Sequence, residues 1–233
     1  MAANVIEDPA YRERVLVFKD RLHAGKLLSK LLRQNAEKEN VVLLALPAGG
    51  VPVGYVIAKE LSLTMNVMIV RKVQIPWNTE AGFGAVAWDG ETVLNDNLIK
   101  RLGLTREEIE TSISQTRKIV QERLRKFRKN KPLPVLKDKV VILVDDGLAS
   151  GFTMLAAVRS ARKRAPQKII VAVPTASLRA IELLAPEVEE IVCLNIRSGP
   201  VFAVAHAYKN WYDLTDEEVI KILQKAEKHQ EGP

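Results

Sequence analysis

Val140-Val141-Ile142-Leu143-Val144-Asp145-Asp146-Gly147-Leu148-Ala149-Ser150-Gly151-Phe152-Thr153 is the stretch that decides the fold. Its opening run is continuously apolar and of strand length, the pattern of a strand buried on both faces in a parallel sheet. Two adjacent carboxylates end the run, and the small residues Gly147, Ala149, Ser150 and Gly151 then turn the chain into a helix expected from about Ser150 to Arg164. A second apolar run, Lys168–Val173, follows. Strand, helix and strand in this order impose parallel pairing with a right-handed crossover.

The same grammar repeats outward from this unit. Upstream, the apolar run Val41–Leu46 ends at Pro47-Ala48-Gly49-Gly50, and Val51–Leu61 reads as a helix leading to a strand at Met65–Val70. Before it, Leu22, Leu27, Leu28, Leu31 and Leu32 mark an amphipathic helix from Asp20 to about Lys38. Thr105 with Glu108 forms a capping box that starts a long helix, which runs to about Lys129 and is stopped by Pro132 and Pro134. Downstream come a helix at Ser177–Leu184, a strand at Ile191–Leu194 and a final helix opened by Thr215-Asp216-Glu217-Glu218. Between Val73 and about Gly90 the chain reads as irregular, with Pro76, Gly82, Gly84 and Gly90, and a loop of that length is expected to be mobile and functional. The fold class is therefore α/β, a doubly wound, mostly parallel central sheet with helices on both faces, in one domain spanning residues 1–233. Such sheets bind ligands beyond the carboxyl ends of their strands, which directs attention to Pro47–Gly50, Arg71–Gly90 and Asp145–Thr153.

Composition narrows the class further. With 47% hydrophobic and 27% charged residues, the chain fits neither the disordered nor the membrane class, and its longest apolar runs are too short to cross a bilayer. The N-terminus carries Glu7 and Asp8 and no apolar core, so a cytoplasmic protein is expected. A lone Cys193 excludes an intramolecular disulfide framework, and His23, His206 and His229 lack metal-ligand spacing. The formal charge of +7 resides in one segment, Lys100–Lys131, where eleven Lys/Arg face four Glu. That segment reads as a solvated helix face, with contact to nucleic acid as the other reading.

The chemistry concentrates in Asp145–Thr153. Unpaired N–H groups at a helix start sit at the positive end of its dipole and suit a phosphate, and the Ser150 and Thr153 hydroxyls add donors. Asp145 and Asp146 offer acceptors for sugar hydroxyls beside it.

Val141–Thr153 resembles the ribose-phosphate signature of the type I phosphoribosyltransferases: an apolar run, two acids, then a Ser-Gly-x-Thr turn. The resemblance reaches over most of the chain, toward a subgroup without an assigned substrate, through Phe18-Lys19-Asp20-Arg21, Leu46–Gly54, Val70-Arg71-Lys72, Gly84-Ala85-Val86, Val93-Leu94-Asn95 and Trp211-Tyr212. It implies transfer of phosphoribose from 5-phosphoribosyl-1-pyrophosphate to a nitrogen acceptor such as a nucleobase. In that reading Asp145 and Asp146 bind the ribose hydroxyls directly or through Mg²⁺, and Ala149, Ser150, Gly151, Phe152 and Thr153 hold the 5′-phosphate. Ala48, Gly49 and Gly50 match the family's pyrophosphate loop, with Arg71 and Lys72 as supporting cations and Lys72 counted with Asp145 and Asp146 as catalytic. Resembling proteins usually carry Arg at the position of Ala48, and loss of that bidentate donor favours a second reading, a non-catalytic sensor of the donor or of a nucleotide. The Val73–Gly90 segment corresponds to the family's closing loop, with Glu80 a candidate acid or base. A hood that selects the acceptor is expected from the stretch before Asp20, from Val201–Leu214, or from both. Trp77, Trp88 and Trp211 could stack on a base, although packing in the core or a loop is the commoner fate of each, and Trp211 is the one singled out as a candidate. A homo-oligomer, such as a dimer, is expected.

Overall fold

The computed structural model describes residues 3–36, 40–129 and 131–230. In chain order they form β1 (Asn4–Ile6), α1 (Arg21–Ala36), β2 (Val41–Ala45), α2 (Gly50–Leu61), β3 (Met65–Val67), β4 (Val70–Ile75), β5 (Asn78–Ala87) and β6 (Thr92–Leu94). There follow α3 (Asp96–Leu102), α4 (Arg106–Arg128), β7 (Val140–Val144), α5 (Phe152–Arg162), β8 (Lys168–Ser177), α6 (Leu178–Leu184), β9 (Glu190–Arg197) and α7 (Asp216–Gln230). The expected end of the first helix near Lys38 lies outside the described residues.

The central sheet has the order β1-β9-β8-β7-β2-β3, and every neighbouring pair is parallel. Its strands alternate faces with period two. Val141 and Leu143 of β7, with Leu44 of β2 and Ile169 and Val171 of β8, join one buried cluster with α5 and α6. Val140, Ile142 and Val144 join the other, with Leu43, Ala45, Ile170 and Ala172, beneath α1, α2 and α7. Both faces are thus covered, which is why these strands read as continuous apolar runs. The expected doubly wound α/β class is the observed one.

The order of strands also fixes where a ligand can bind. After β2 the chain winds outward to β3, whereas after β7 it winds the opposite way to β8 and β9, so the switch in direction falls between the paired strands β2 and β7. Their carboxyl ends lie side by side, with Ala45 opposite Val144.

The segment from Val73 to Gly90 corrects the reading of an irregular loop. It is mostly the antiparallel hairpin β4–β5, continued by β6 into a second, three-stranded sheet. The expected strand Met65–Val70 is accordingly divided between the two sheets. The glycines are demanded by close packing of strands: a Cβ on Gly82 would stand 2.9 Å from the Val73 carbonyl oxygen, and one on Gly84 would stand 2.4 Å from that of Val93. Val73, Ile75, Phe83 and Val86 of this sheet bury a third cluster with Leu104.

Capping proceeds as read. Thr105 and Glu108 exchange hydrogen bonds at the start of α4, and Thr215 with Glu218 does the same at α7. The positive segment is partly neutralised within the fold, since Arg123 and Lys126 pair with Asp216, and Lys131 pairs with Glu227. No helix among the described residues is long and apolar enough to cross a membrane.

Phe83 is fully buried at the middle of the hairpin's apolar side. Phe83→Ala is expected to cost about 3–5 kcal/mol in urea unfolding. A loss near zero would show that the small sheet is not packed as described.

Candidate functional site

A cleft of about 600 Å³ opens at the switch point, between the turn after β2, the turn after β7 and the β4–β5 hairpin. Each wall follows from local sequence. Pro47 ends β2, and the chain passes through a cis peptide at Pro47-Ala48 into Gly49 and Gly50. The two glycines admit the neighbouring turn: a Cβ on Gly49 would fall 1.8 Å from Asp146 Oδ2, and one on Gly50 would fall 2.5 Å from the Val144 carbonyl oxygen. Asp146 therefore rests its carboxylate against the Gly49 backbone.

The acidic pair is held from behind. Arg21 Nε donates to Asp146 Oδ2 at 2.8 Å, and its Nη1 donates to the Tyr212 carbonyl at 2.9 Å. The Trp211 ring lies 3.9 Å from the Arg21 guanidinium, and Tyr208 packs on Trp211 at 5.2 Å between centroids. The Tyr208 hydroxyl donates to the Asp146 carbonyl at 2.6 Å, so backbone and side chain of Asp146 are both anchored. Asp145 Oδ1 accepts from the Asp146 N–H at 2.8 Å. Burial and the adjacent Asp146 charge push the Asp145 carboxyl well above the ordinary carboxylate range. Burial raises Asp146 as well, opposed by the Arg21 guanidinium.

The small-residue turn is braced on β8. Leu148 N–H donates to the Thr175 carbonyl at 2.9 Å, Ser177 N–H returns a bond to the Leu148 carbonyl at 2.9 Å, and Ser177 Oγ donates to the Ala149 carbonyl at 2.6 Å. Gly151 then takes φ +82°, a left-handed conformation suited to glycine, and starts α5 with no side-chain cap among the described residues. The first-turn N–H groups of α5 consequently lack a capping oxygen, on the cleft wall formed by Ala149, Ser150, Gly151, Phe152 and Thr153.

The structure thus brings together Asp145, Asp146, Ala48, Gly49, Lys72 and the whole Ala149–Thr153 turn around one cleft. Gly50 lies just behind it, in the first turn of α2. Arg71 is not brought there, which corrects its grouping with Lys72. Alternation along β4 sends the two side chains to opposite faces: Lys72 lines the cleft and its Nζ donates to the Glu80 carbonyl at 2.5 Å, while Arg71 is influenced by Arg123 of α4 and Asp216 of α7. Trp211 is likewise corrected as a base-stacking residue, because its ring is covered by Arg21 and Tyr208 and does not line the cleft. Sequence reasoning passed over Arg21 and Tyr208 as site supports. Arg21 stood within the stretch Phe18-Lys19-Asp20-Arg21 without a role and Tyr208 carried no signal, because the contacts join residues 125 and 62 positions apart.

An uncapped helix start and paired carboxylates at the switch point of a parallel sheet define a class: doubly wound α/β proteins with a polar cleft at the carboxyl ends of their strands. Residues 19–209 match the family model described as the phosphoribosyl transferase domain, and the chain belongs to that family. It is 35% identical over 210 residues to two Mycobacterium tuberculosis proteins named "Putative phosphoribosyl transferase", covering 90% of this chain. The chain spans about half, 47%, of the length of those relatives. It also resembles the crystal structure of the protein TT1426 from Thermus thermophilus, with 35% identity, a TM-score of 0.72, and coverage of 90% of this chain and 99% of that one.

Gly49 and Arg21 meet the same carboxylate oxygen, Asp146 Oδ2. Gly49→Ala is expected to destabilise the fold by about 1–3 kcal/mol through overpacking against Asp146, and Arg21→Met by about 3 kcal/mol through stranding a buried charge. The double variant should cost less than the sum in urea denaturation, because both displace Asp146. Strictly additive losses would show that Gly49 does not act through that side chain.

Proposed function

We propose that the chain transfers phosphoribose from 5-phosphoribosyl-1-pyrophosphate to a nitrogen acceptor of nucleobase type. The observation that carries this reading is the convergence, in one cleft, of an uncapped helix start, two carboxylates and a glycine turn carrying a cation opposite. Ala149–Thr153 holds the 5′-phosphate through first-turn N–H groups and the Ser150 and Thr153 hydroxyls. Asp145, the less encumbered of the two acids, accepts from the ribose hydroxyls, while Asp146 is fixed by Arg21 as the rigid partner beside it. The Gly49 N–H and Lys72 stand where the pyrophosphate leaves.

In the reaction the acceptor nitrogen's lone pair forms a bond to ribose C1 as the C1–O bond breaks and its electron pair departs on pyrophosphate. Any N–H proton of the acceptor passes to water. Positive charge develops on the ribose near Asp145 and Asp146, and negative charge develops beside Lys72, so the fixed charges favour the transition state over the ground state. The donor set also fits Mg²⁺, a hard ion that commonly takes one or two carboxylates with substrate phosphates. Asp145 and Asp146 would hold it, and it would supply neutralisation of the diphosphate charge.

The β4–β5 hairpin carries Lys72, Glu80, Ala81, Gly82 and Gly84 to the edge of the cleft, and it is the element that closes over bound donor and excludes water. The N-terminal stretch and Val201–Leu214 together make the hood. They are joined by bonds from Leu16 N–H to the His206 carbonyl at 2.8 Å and from Phe18 N–H to the Ala207 carbonyl at 2.9 Å.

The test is calorimetry with 5-phosphoribosyl-1-pyrophosphate and Mg²⁺, followed by pyrophosphate release with a panel of purines, pyrimidines and pyridines. Donor binding is expected, Asp145→Asn should weaken it tenfold or more (about 1.4 kcal/mol), and Lys72→Ala should lower kcat by roughly a hundredfold. Donor binding without pyrophosphate release, in wild type and in Ala48→Arg alike, would replace the transferase by a donor-sensing protein. Absence of donor binding would overturn both.

A further inference from the structure

The strap Tyr11–Phe18, part of the hood, is held by little apolar burial between its two aromatic ends. Arg12, Glu13, Arg14, Val15 and Leu16 are all exposed. Glu13 and Leu16 take φ of +59° and +53°, left-handed conformations that residues other than glycine seldom adopt. Backbone strain of this kind persists only where the surroundings impose it. Here the surroundings are polar. Glu13 N–H donates to the Ile196 carbonyl at 3.1 Å, the Glu13 carboxylate accepts from Ser198 N–H and Oγ, and Leu16 N–H donates to the His206 carbonyl at 2.8 Å.

Asn195 supplies a further anchor, and it is fully buried. Its Nδ2 donates to the Tyr11 carbonyl and, at 3.0 Å, to the Arg14 carbonyl, which uses both amide hydrogens. Its Oδ1 accepts from Thr175 Oγ1 at 2.8 Å. Thr175, equally buried, is its register partner across β8 and β9. The remaining groups of Thr175 meet the turn after β7. Its carbonyl accepts from Leu148 N–H at 2.9 Å, and its Cγ2 methyl would stand 2.9 Å from a Cβ on Gly147. Gly147 and Leu148 line the donor cleft and lead directly into Ala149–Thr153. Contact is therefore continuous from the phosphate turn, through Thr175 and Asn195, to the carbonyls of the strap.

We propose that Asn195 is a positioning residue of the donor cleft, coupling the strap to the turn through Thr175, so that a phosphomonoester held in the turn tightens the strap. The phosphate rests on the transferase reading, whereas the link rests on the hydrogen bonds alone. With the strap docked, both Nδ2 hydrogens are taken and the amide plane is fixed with Oδ1 on the Thr175 hydroxyl. With the strap released, Nδ2 is buried without its acceptors, which is costly, and the amide is free to leave Thr175. A ligand that needs the braced turn favours the docked strap, and by linkage the docked strap favours the ligand.

The experiment is amide hydrogen exchange by NMR on the full chain, without ligand and then with ribose 5-phosphate as the probe. The variants are Asn195→Ala, Thr175→Val, which keeps the shape and removes the hydroxyl, and Thr175→Ser, which keeps the hydroxyl and loses the methyl. The Thr175 pair serves if Asn195→Ala does not fold. Without ligand, Glu13→Ala, which frees the strap from Ser198, is expected to speed exchange of the Leu148 N–H about fivefold or more, and to leave it unchanged when combined with Thr175→Val. With saturating ribose 5-phosphate, exchange at the Glu13 and Leu16 N–H groups should slow by a similar factor in wild type and Thr175→Ser, but not in Thr175→Val or Asn195→Ala. A purely structural role has exchange follow global stability, with the two Thr175 variants alike. That result overturns the proposal, as does a Leu148 N–H indifferent to Glu13→Ala. Failure of ribose 5-phosphate to bind the wild type in calorimetry sinks the phosphate reading of the turn and the ligand's part in the proposal, while the ligand-free comparison upholds or overturns the Asn195 link by itself.

Discussion

The parallel pairing of β2 with β7 is the constraint from which the site descends. It sets Ala45 opposite Val144, and so it lays the first residues after each strand against one another while their chains depart in opposite directions. Everything polar in the cleft has to fit that contact. Gly49 and Gly50 lack side chains because Asp146 and the Val144 carbonyl occupy the space a Cβ would need. Asp146, brought against a backbone and away from water, needs a cation, and Arg21 reaches it from the start of α1 with side-chain exposures of 8% and 13% for the pair. A pair so placed is worth little as net stability, yet losing either member is costly. Its role is to give the carboxylates one arrangement.

Much of this was legible before the fold was known, and the reason is burial. Strands covered on both faces must be apolar throughout, so Val140–Val144 and Val41–Ala45 announced themselves, and the carboxylates and glycines that break those runs marked the site. The hairpin was not legible for the opposite reason. Its outer residues face solvent, and its glycines look like breaks in a pattern when they are places where the Val73 and Val93 carbonyls come too near for any side chain. Arg71 and Lys72 were grouped by adjacency, although neighbours on a strand point apart. Trp211 was kept as a candidate to stack on a base because nothing local revealed Arg21 across its ring.

Charge illustrates the same limit. The positive segment was visible as composition, but its partners were not. Arg123, Lys126 and Lys131 meet the acidic side of α7, a helix about ninety positions further along the chain. Exposed pairs of this kind contribute little individually. They nevertheless hold part of the positive charge of α4 inside the molecule's own electrostatics.

The short strands at the two margins of the central sheet carry a consequence for the protein in crowded solution. β1 and β3 have three residues each, and both border longer interior strands, β9 and β2. An unpaired row of backbone donors and acceptors is a template on which another chain can add. Here that template is cut to three residues on each side, too short to support a growing ladder, so the hydrophobic strands that build the core are kept from recruiting copies of themselves.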